Sequence, residues 1–120
     1  MKTRSKILIV DDEPFNLDYL EQELEGSDCE IFTAANGKEA LEKVRTTAPD
    51  LVLLDIMMPI MDGFAVLSQL KSEASTRDIP VVIVSASNDL RNVVRGIQMG
   101  AEDYLPKPFE PTLLHARVSS

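Results

Sequence analysis

Residues 7–14 read ILIVDDEP: Ile7, Leu8, Ile9 and Val10, then Asp11, Asp12, Glu13 and Pro14. Four branched aliphatics in an unbroken run, without alternation, describe a strand buried on both faces. Such strands belong to parallel sheets covered by helices, so this stretch, taken as Ser5–Val10, sets the class of fold. The three acids that follow set a second problem. Like charges repel, and here they crowd at the end of a dry strand.

Outward from that strand, apolar runs and helical patterns alternate five times. Phe15–Glu25 places Leu17, Leu20 and Leu24 at helical spacing, and Gly26 stops it. Cys29–Ala34 reads as a second, weaker strand nearer an edge. Asn36 caps the next helix, with Glu39 three residues on and Ala40, Leu41 and Val44 facing inward. Asp50–Asp55, DLVLLD, is the third strand. A loop, IMMPIMDG, leads to a helix over Gly63–Ser72, with Asp62 as its cap. Pro80 opens the fourth strand, PVVIVSA. The pattern then predicts a helix over Asp89–Met99 that packs Leu90, Val93, Val94 and Ile97, ended by Gly100. A fifth strand near Glu102–Pro106 precedes a helix starting about Glu110, with Leu113, Leu114 and Val118 on its inner side.

Five β–α alternations predict an α/β fold: a doubly wound, flavodoxin-like, five-stranded parallel sheet of order 2-1-3-4-5 with helices on both faces. The 120 residues fit one domain, 1–120, and 44% of them are hydrophobic, enough for a real core. The last helix reaches Ser120 without a cap, as expected for the N-terminal piece of a longer protein.

Composition excludes several classes of function. Twelve Lys and Arg stand against 20 Asp and Glu, a net charge of −8 that argues against gripping nucleic acid phosphates. No apolar run approaches the ~20 residues needed to span a bilayer, and the residues after Met1 do not form a secretory signal. The expectation is a cytoplasmic protein without membrane contact. A single cysteine, Cys29, forms no internal disulfide and reads as packing, and a lone His115 makes no histidine metal cluster.

Ligands of open α/β sheets bind beyond the carboxyl ends of the strands, where strand order reverses. Strand one ends in Asp11 and Asp12, strand three in Asp55, strand four in Ser85, and Lys107 follows strand five. Neighbouring strands lie ~5 Å apart, so Asp11, Asp12 and Asp55 converge. Two charges ~4 Å apart repel by about 4 kcal/mol at an effective dielectric near 20. A hard divalent cation removes that cost, and Mg²⁺ prefers carboxylate oxygen and water. Glu13 reads instead as a first-turn helix charge. Three carboxylates, one Mg²⁺ and one Lys⁺ balance to zero, leaving a site able to host a phosphoryl group. A carboxylate can take that group as an acyl phosphate, and central Asp55 is the best acceptor. Ser85 supplies a hydroxyl for a phosphoryl oxygen.

Taken singly, an Asp-Asp pair, a Lys-Pro or a strand-end serine is ordinary structure. Together, ILIVDDEP, DLVLLDIMMPIMDGF, PVVIVSA and GAEDYLPKPF resemble the receiver domain of two-component response regulators, over the whole chain. The resemblance implies that Asp55 takes a phosphoryl group from a phosphohistidine on a histidine kinase or phosphotransfer protein. It implies Asp12 as a direct Mg²⁺ ligand, Asp11 acting mostly through water, and the Met57 backbone carbonyl completing the metal shell with Asp55. Lys107 would contact the phosphoryl group, the Lys107–Pro108 peptide would be cis, Ser85 would move toward the phosphoryl group, and Tyr104 would swing inward behind it. Such a domain is no enzyme in the ordinary sense: it catalyses only its own phosphorylation and dephosphorylation.

Met57 and Ser87 should flank the path of attacking water, and an apolar Met57 offers no hydrogen bond to orient it. Slow self-dephosphorylation follows as an expectation. The stretch EPTLLHARV, with Arg91, Arg95, Glu102, Asp103, His115 and Arg117, resembles regulators that form a phosphorylation-dependent homodimer. Two rivals stand beside this reading. One is a phosphorylation-independent protein-binding module. The other is a Mg²⁺-dependent aspartyl phosphatase, which would place a second aspartate where Met57 stands.

Overall fold

The computed structural model describes residues 5–25, 28–58, 61–86 and 89–119. Along the chain run β1 (Ser5–Val10), α1 (Pro14–Leu24), β2 (Cys29–Ala34), α2 (Gly37–Thr47), β3 (Leu51–Asp55), α3 (Gly63–Ser72), β4 (Val81–Ala86), α4 (Leu90–Gln98), β5 (Asp103–Lys107) and α5 (Pro111–Ser119). The strands form one sheet of order β2-β1-β3-β4-β5, every pairing parallel. The predicted fold class, strand order and position of the weak second strand at an edge are all as observed.

Alternation along β1 explains the two-sided core. Leu8 and Val10 face Ala40, Leu41 and Val44 of α2 and Phe64, Val66, Leu67 and Leu70 of α3. Ile7 and Ile9 face Leu20 and Leu24 of α1 and Leu114 of α5. Central β3 is buried from Val52 to Asp55, as a strand with helices on both sides must be. Fully burying each such Leu or Ile contributes about 1.5–3 kcal/mol.

Two caps hold as read. The Asn36 side chain accepts the Glu39 N–H at 2.9 Å, and Asp62 Oδ1 accepts the Ala65 N–H at 2.9 Å. Gly100 ends the turn after α4 at φ 111°, a conformation that favours glycine. The reading of Gly26 as the stop of α1 lies outside the described residues, as do Pro59 and Ser87.

One prediction fails. Leu90, Val94 and Ile97 of α4 do not pack inward; they are 70%, 46% and 42% exposed. Among its described residues α4 buries only Gly96, where an added Cβ would meet the Ile83 side chain. The helix thus sits on β4 through its smallest residue and turns its aliphatic stripe outward. Periodicity locates such a stripe; it does not say which way the stripe faces. Arg95 adds a second attachment, stacking 4.1 Å from the ring centroid of Phe64 in α3.

Candidate functional site

The ladder carries the acids to one end of the sheet. Beyond β1, the Asp11 N–H donates to the Ala34 carbonyl at 3.1 Å; beyond β3, the Ile56 N–H donates to the Val84 carbonyl at 3.3 Å. Asp11 and Asp55 are thereby held in the plane of the sheet, and both are buried. Asp11, Asp12 and Asp55 each offer a carboxylate oxygen within 4.8 Å of the others. Among the described residues they are the only group of three or more His, Cys, Asp or Glu so arranged.

Lys107 joins them from the far side of β4. Its Nζ lies 3.3 Å from Asp55 Oδ2 and 3.4 Å from Asp11 Oδ2. Asp55 Oδ1 accepts the Met57 N–H at 3.1 Å. Asp11 is equally well held: Oδ1 accepts the Glu13 N–H at 2.9 Å, and Oδ2 accepts from Asn16 Nδ2 at 3.2 Å. Half-buried Asp12 makes no such bond among the described residues, so its carboxylate is available to a ligand.

Electrostatics follow from this geometry. Burial pushes the Asp55 carboxyl up to about 6; the Met57 amide opposes the rise, the Asp11 charge adds to it, and Lys107 opposes it. For Lys107, burial alone would lower the ammonium, but the charges of Asp55 and then Asp11 outweigh it and raise its pKa. The trio, two of its acids buried, is thus short of positive charge even with Lys107 in place.

A magnesium ion fits that deficit. Its oxygen ligands sit at ~2.1 Å in an octahedron, so opposite ligands stand ~4.2 Å apart. Oxygens spread within 4.8 Å reach that spacing by a small shift or through a bridging water. The donor set is all oxygen, as a hard cation requires.

The remaining predicted residues are placed as follows. Ser85 is buried at the end of β4, one residue past Val84, the register partner of Asp55. Met57 is exposed on the loop beyond Asp55, and with Phe64, Asn92 and Arg95 it lines an open cleft of about 470 Å³. Tyr104 is exposed on β5, opposite Ile83, and its carbonyl accepts from Arg117 Nε at 3.1 Å. The Lys107–Pro108 peptide is cis. Glu13 is exposed and serves as the N-cap position of α1. His115 reaches Glu23 of α1 at 3.3 Å, so it belongs to the seam between α1 and α5 rather than to the outer face of α4 and β5.

Two contributors escaped the sequence reading. Asn16 lies five residues beyond Asp11, a spacing that α1 folds back onto the carboxylate. Gly63 opens α3 directly against the acceptor strand: a Cβ there would stand 2.5 Å from the Asp55 carbonyl oxygen and 2.5 Å from Ile56 Cα. The dipeptide Asp62-Gly63 carried the signal, since a capping residue followed by glycine marks a tight helix start.

A cavity of about 700 Å³ lies at the opposite end of the strands, lined by Ser5, Cys29, Leu51, Val82, Asp103 and Arg117. It holds none of the converging acids, and chemistry rather than size locates the site.

Comparison with known proteins identifies the family of the chain as a whole. The family model for the response regulator receiver domain matches residues 7–119. The chain is 42% identical over 116 residues to the response regulator PleD of Caulobacter vibrioides, covering 97% of this chain and 26% of PleD. It is 40% identical over 115 residues to the alkaline phosphatase synthesis transcriptional regulatory protein PhoP of Bacillus subtilis, covering 96% of this chain and 47% of PhoP. The chain therefore spans from about a quarter to half the length of these relatives. Among solved structures, the chemotaxis protein CheY4 of Vibrio cholerae superposes with a TM-score of 0.90 at 28% identity, covering 97% of each chain. The chain belongs to the response regulator receiver domain family of two-component systems.

Proposed function

We propose that Asp55 is the phosphoacceptor of this receiver domain, taking its phosphoryl group from a phosphohistidine on a histidine kinase or phosphotransfer protein. A carboxylate oxygen of Asp55 attacks phosphorus, the phosphorus–nitrogen bond breaks, and the imidazole leaves. Lys107 holds the acceptor and then a phosphoryl oxygen, stabilising charge as it develops. Asp12, Asp55 and the Met57 carbonyl would hold Mg²⁺, with Asp11 acting through water; the ion supplies charge neutralisation at the transferring group. Ser85 donates its hydroxyl to the phosphoryl group as Tyr104 turns inward from its exposed position. The chain is otherwise a signalling domain, with catalysis confined to its own phosphoryl group. The observation that carries this reading is the buried, Lys107-bridged Asp11–Asp55 pair with Asp12 beside it.

Intact-mass spectrometry after acetyl phosphate and Mg²⁺ tests it. One phosphoryl adduct, lost in Asp55→Asn and in the presence of a chelator, is the expected result. An adduct on another residue, or none, overturns it; no adduct would leave a protein-binding module, and continuous phosphate release a phosphatase.

The outward stripe of Leu90, Val94 and Ile97 on α4 and the exposed Tyr104 on β5 support a homodimer formed through α4, β5 and α5 on phosphorylation. Light scattering with and without beryllofluoride tests this part: doubling of the mass, abolished by Leu90→Glu, is expected, and unchanged monomer mass overturns it.

A further inference from the structure

Five methionines occur in the chain, three of them in the MMPIM segment beyond Asp55. Among those described, Met57 alone is largely exposed, at 66%. Met58 is buried, and Met61 and Met99 pack half-buried against the α2–α3 side of the core. Sulfoxidation follows exposure, so these thioethers are unequal. Met57 is also the residue whose N–H holds Asp55 Oδ1, and its side chain opens onto the cleft shared with Asn92 and Arg95. The one readily oxidised sulfur among the described methionines therefore belongs to the residue whose backbone holds the acceptor carboxylate, two positions along the chain from it.

We propose that Met57 is a peroxide-sensitive modification site whose oxidation shortens the life of the phosphoryl group; this rests on Asp55 being the phosphoacceptor. In the step, the thioether sulfur attacks one oxygen of a hydroperoxide. The oxygen–oxygen bond breaks as the sulfur–oxygen bond forms. With hydrogen peroxide, the departing hydroxide takes the proton from the transferred oxygen and leaves as water, so sulfur loses two electrons and the peroxide gains them. The product exchanges an apolar side chain for one bearing a strong hydrogen-bond acceptor. A thioether beside the acyl phosphate leaves attacking water unoriented. A sulfoxide oxygen at the same place accepts a hydrogen bond from that water and holds it for attack on phosphorus. One such bond in the transition state shortens the lifetime roughly fivefold. Methionine sulfoxide reductase returns the sulfide, so the effect is reversible.

The test has two readouts on the full chain. First, peptide mass mapping after graded hydrogen peroxide, without any phosphodonor, is expected to show sulfoxide at Met57 well ahead of Met58, Met61 and Met99. Equal or later oxidation at Met57 overturns the proposal. Second, protein phosphorylated with acetyl phosphate and Mg²⁺ is freed of donor, and its decay is compared before and after peroxide. Faster decay that sulfoxide reductase reverses, and that Met57→Leu does not show, is the expected result. Equal decay, or the same acceleration in Met57→Leu, overturns it. If untreated protein takes no phosphoryl group, the phosphoacceptor reading falls and the lifetime effect with it, whatever the peptide map shows.

Discussion

Helices α3 and α4 follow successive strands, have nearly equal lengths and show similar aliphatic spacing, yet they are attached in opposite ways. Helix α3 buries Phe64, Val66, Leu67 and Leu70 and seats its first residue, Gly63, on the backbone of Asp55. Helix α4 buries only Gly96 among its described residues and leaves Leu90, Val94 and Ile97 to solvent. One is part of the core. The other rests on it. Helical periodicity reports that one side of a helix is apolar, whereas the neighbours decide whether that side is inside.

The largest test of this contrast is a pair of truncations. Leu70→Ala is expected to cost about 2–5 kcal/mol, because a filled position in the core becomes a cavity. Leu90→Ala is expected to stay within about 0.5 kcal/mol, as exposed substitutions do. Urea denaturation of both variants decides it, and equal losses would erase the contrast.

The seat of α4 comes next. Gly96→Ala drives a methyl into Ile83 and should cost about 1–3 kcal/mol by overpacking. Ile83→Val in the same chain should return part of that loss. A Gly96→Ala protein of unchanged stability would mean that α4 is not seated where it is drawn.

At the other helix, stability should follow the charge on Asp55, against which α3 begins. The folded-state pKa of Asp55 is raised from 3.8 to about 6. Between these values the folded chain holds more protons than the unfolded one, so the Asp55 share of stability falls as pH rises through this window and is flat above it. Thermal melts with chelator present should show the decline. Asp55→Asn should remove it, and Mg²⁺, which favours the charged carboxylate, should oppose it. A decline that survives in Asp55→Asn would assign it to other groups.

The smallest expected effect concerns the link between the two helices. Arg95→Ala removes the guanidinium from the Phe64 ring and should cost about 0.5–1 kcal/mol. Hydrogen exchange should place the added opening in α4, with α3 unchanged. Lifetime offers one more contrast, between side chains at a single position. Met57→Asn, which brings an acceptor to the mouth of Asp55, is expected to lose its phosphoryl group faster than the unsubstituted chain.

How far the sequence reached varies with the kind of signal. Ser5–Val10, Cys29–Ala34 and Gly63–Ser72 were bounded correctly, because short apolar runs between polar stops and a capped helix start each leave a local mark. The convergence of Asp11, Asp12, Asp55 and Lys107 was legible because a parallel sheet sends every strand end to the same side, so position along a strand becomes position in space. The supports of the site were not. Asn16 reaches Asp11 only through the fold-back of α1, and Gly63 matters only because α3 lies against β3. The outward turn of α4 was misread for the same reason: it depends on the fit between Gly96 and Ile83, two residues in different elements. His115 likewise found a partner 92 positions away.

Lys107 carries one further consequence. It departs from an edge strand and crosses β4 to grip carboxylates at the ends of two inner strands at nearly equal range. An ammonium so shared behaves like a rope with two holders. Negative charge newly placed on Asp55 competes with Asp11 for it, and the pull is felt where the rope is tied, at the last residue of β5. Two residues further on, the Phe109 ring lies stacked on Tyr19 of α1, centroids 5.7 Å apart. A rearrangement of charge at the middle of the sheet is thereby converted into tension at its rim, next to a helix that the acids themselves introduce.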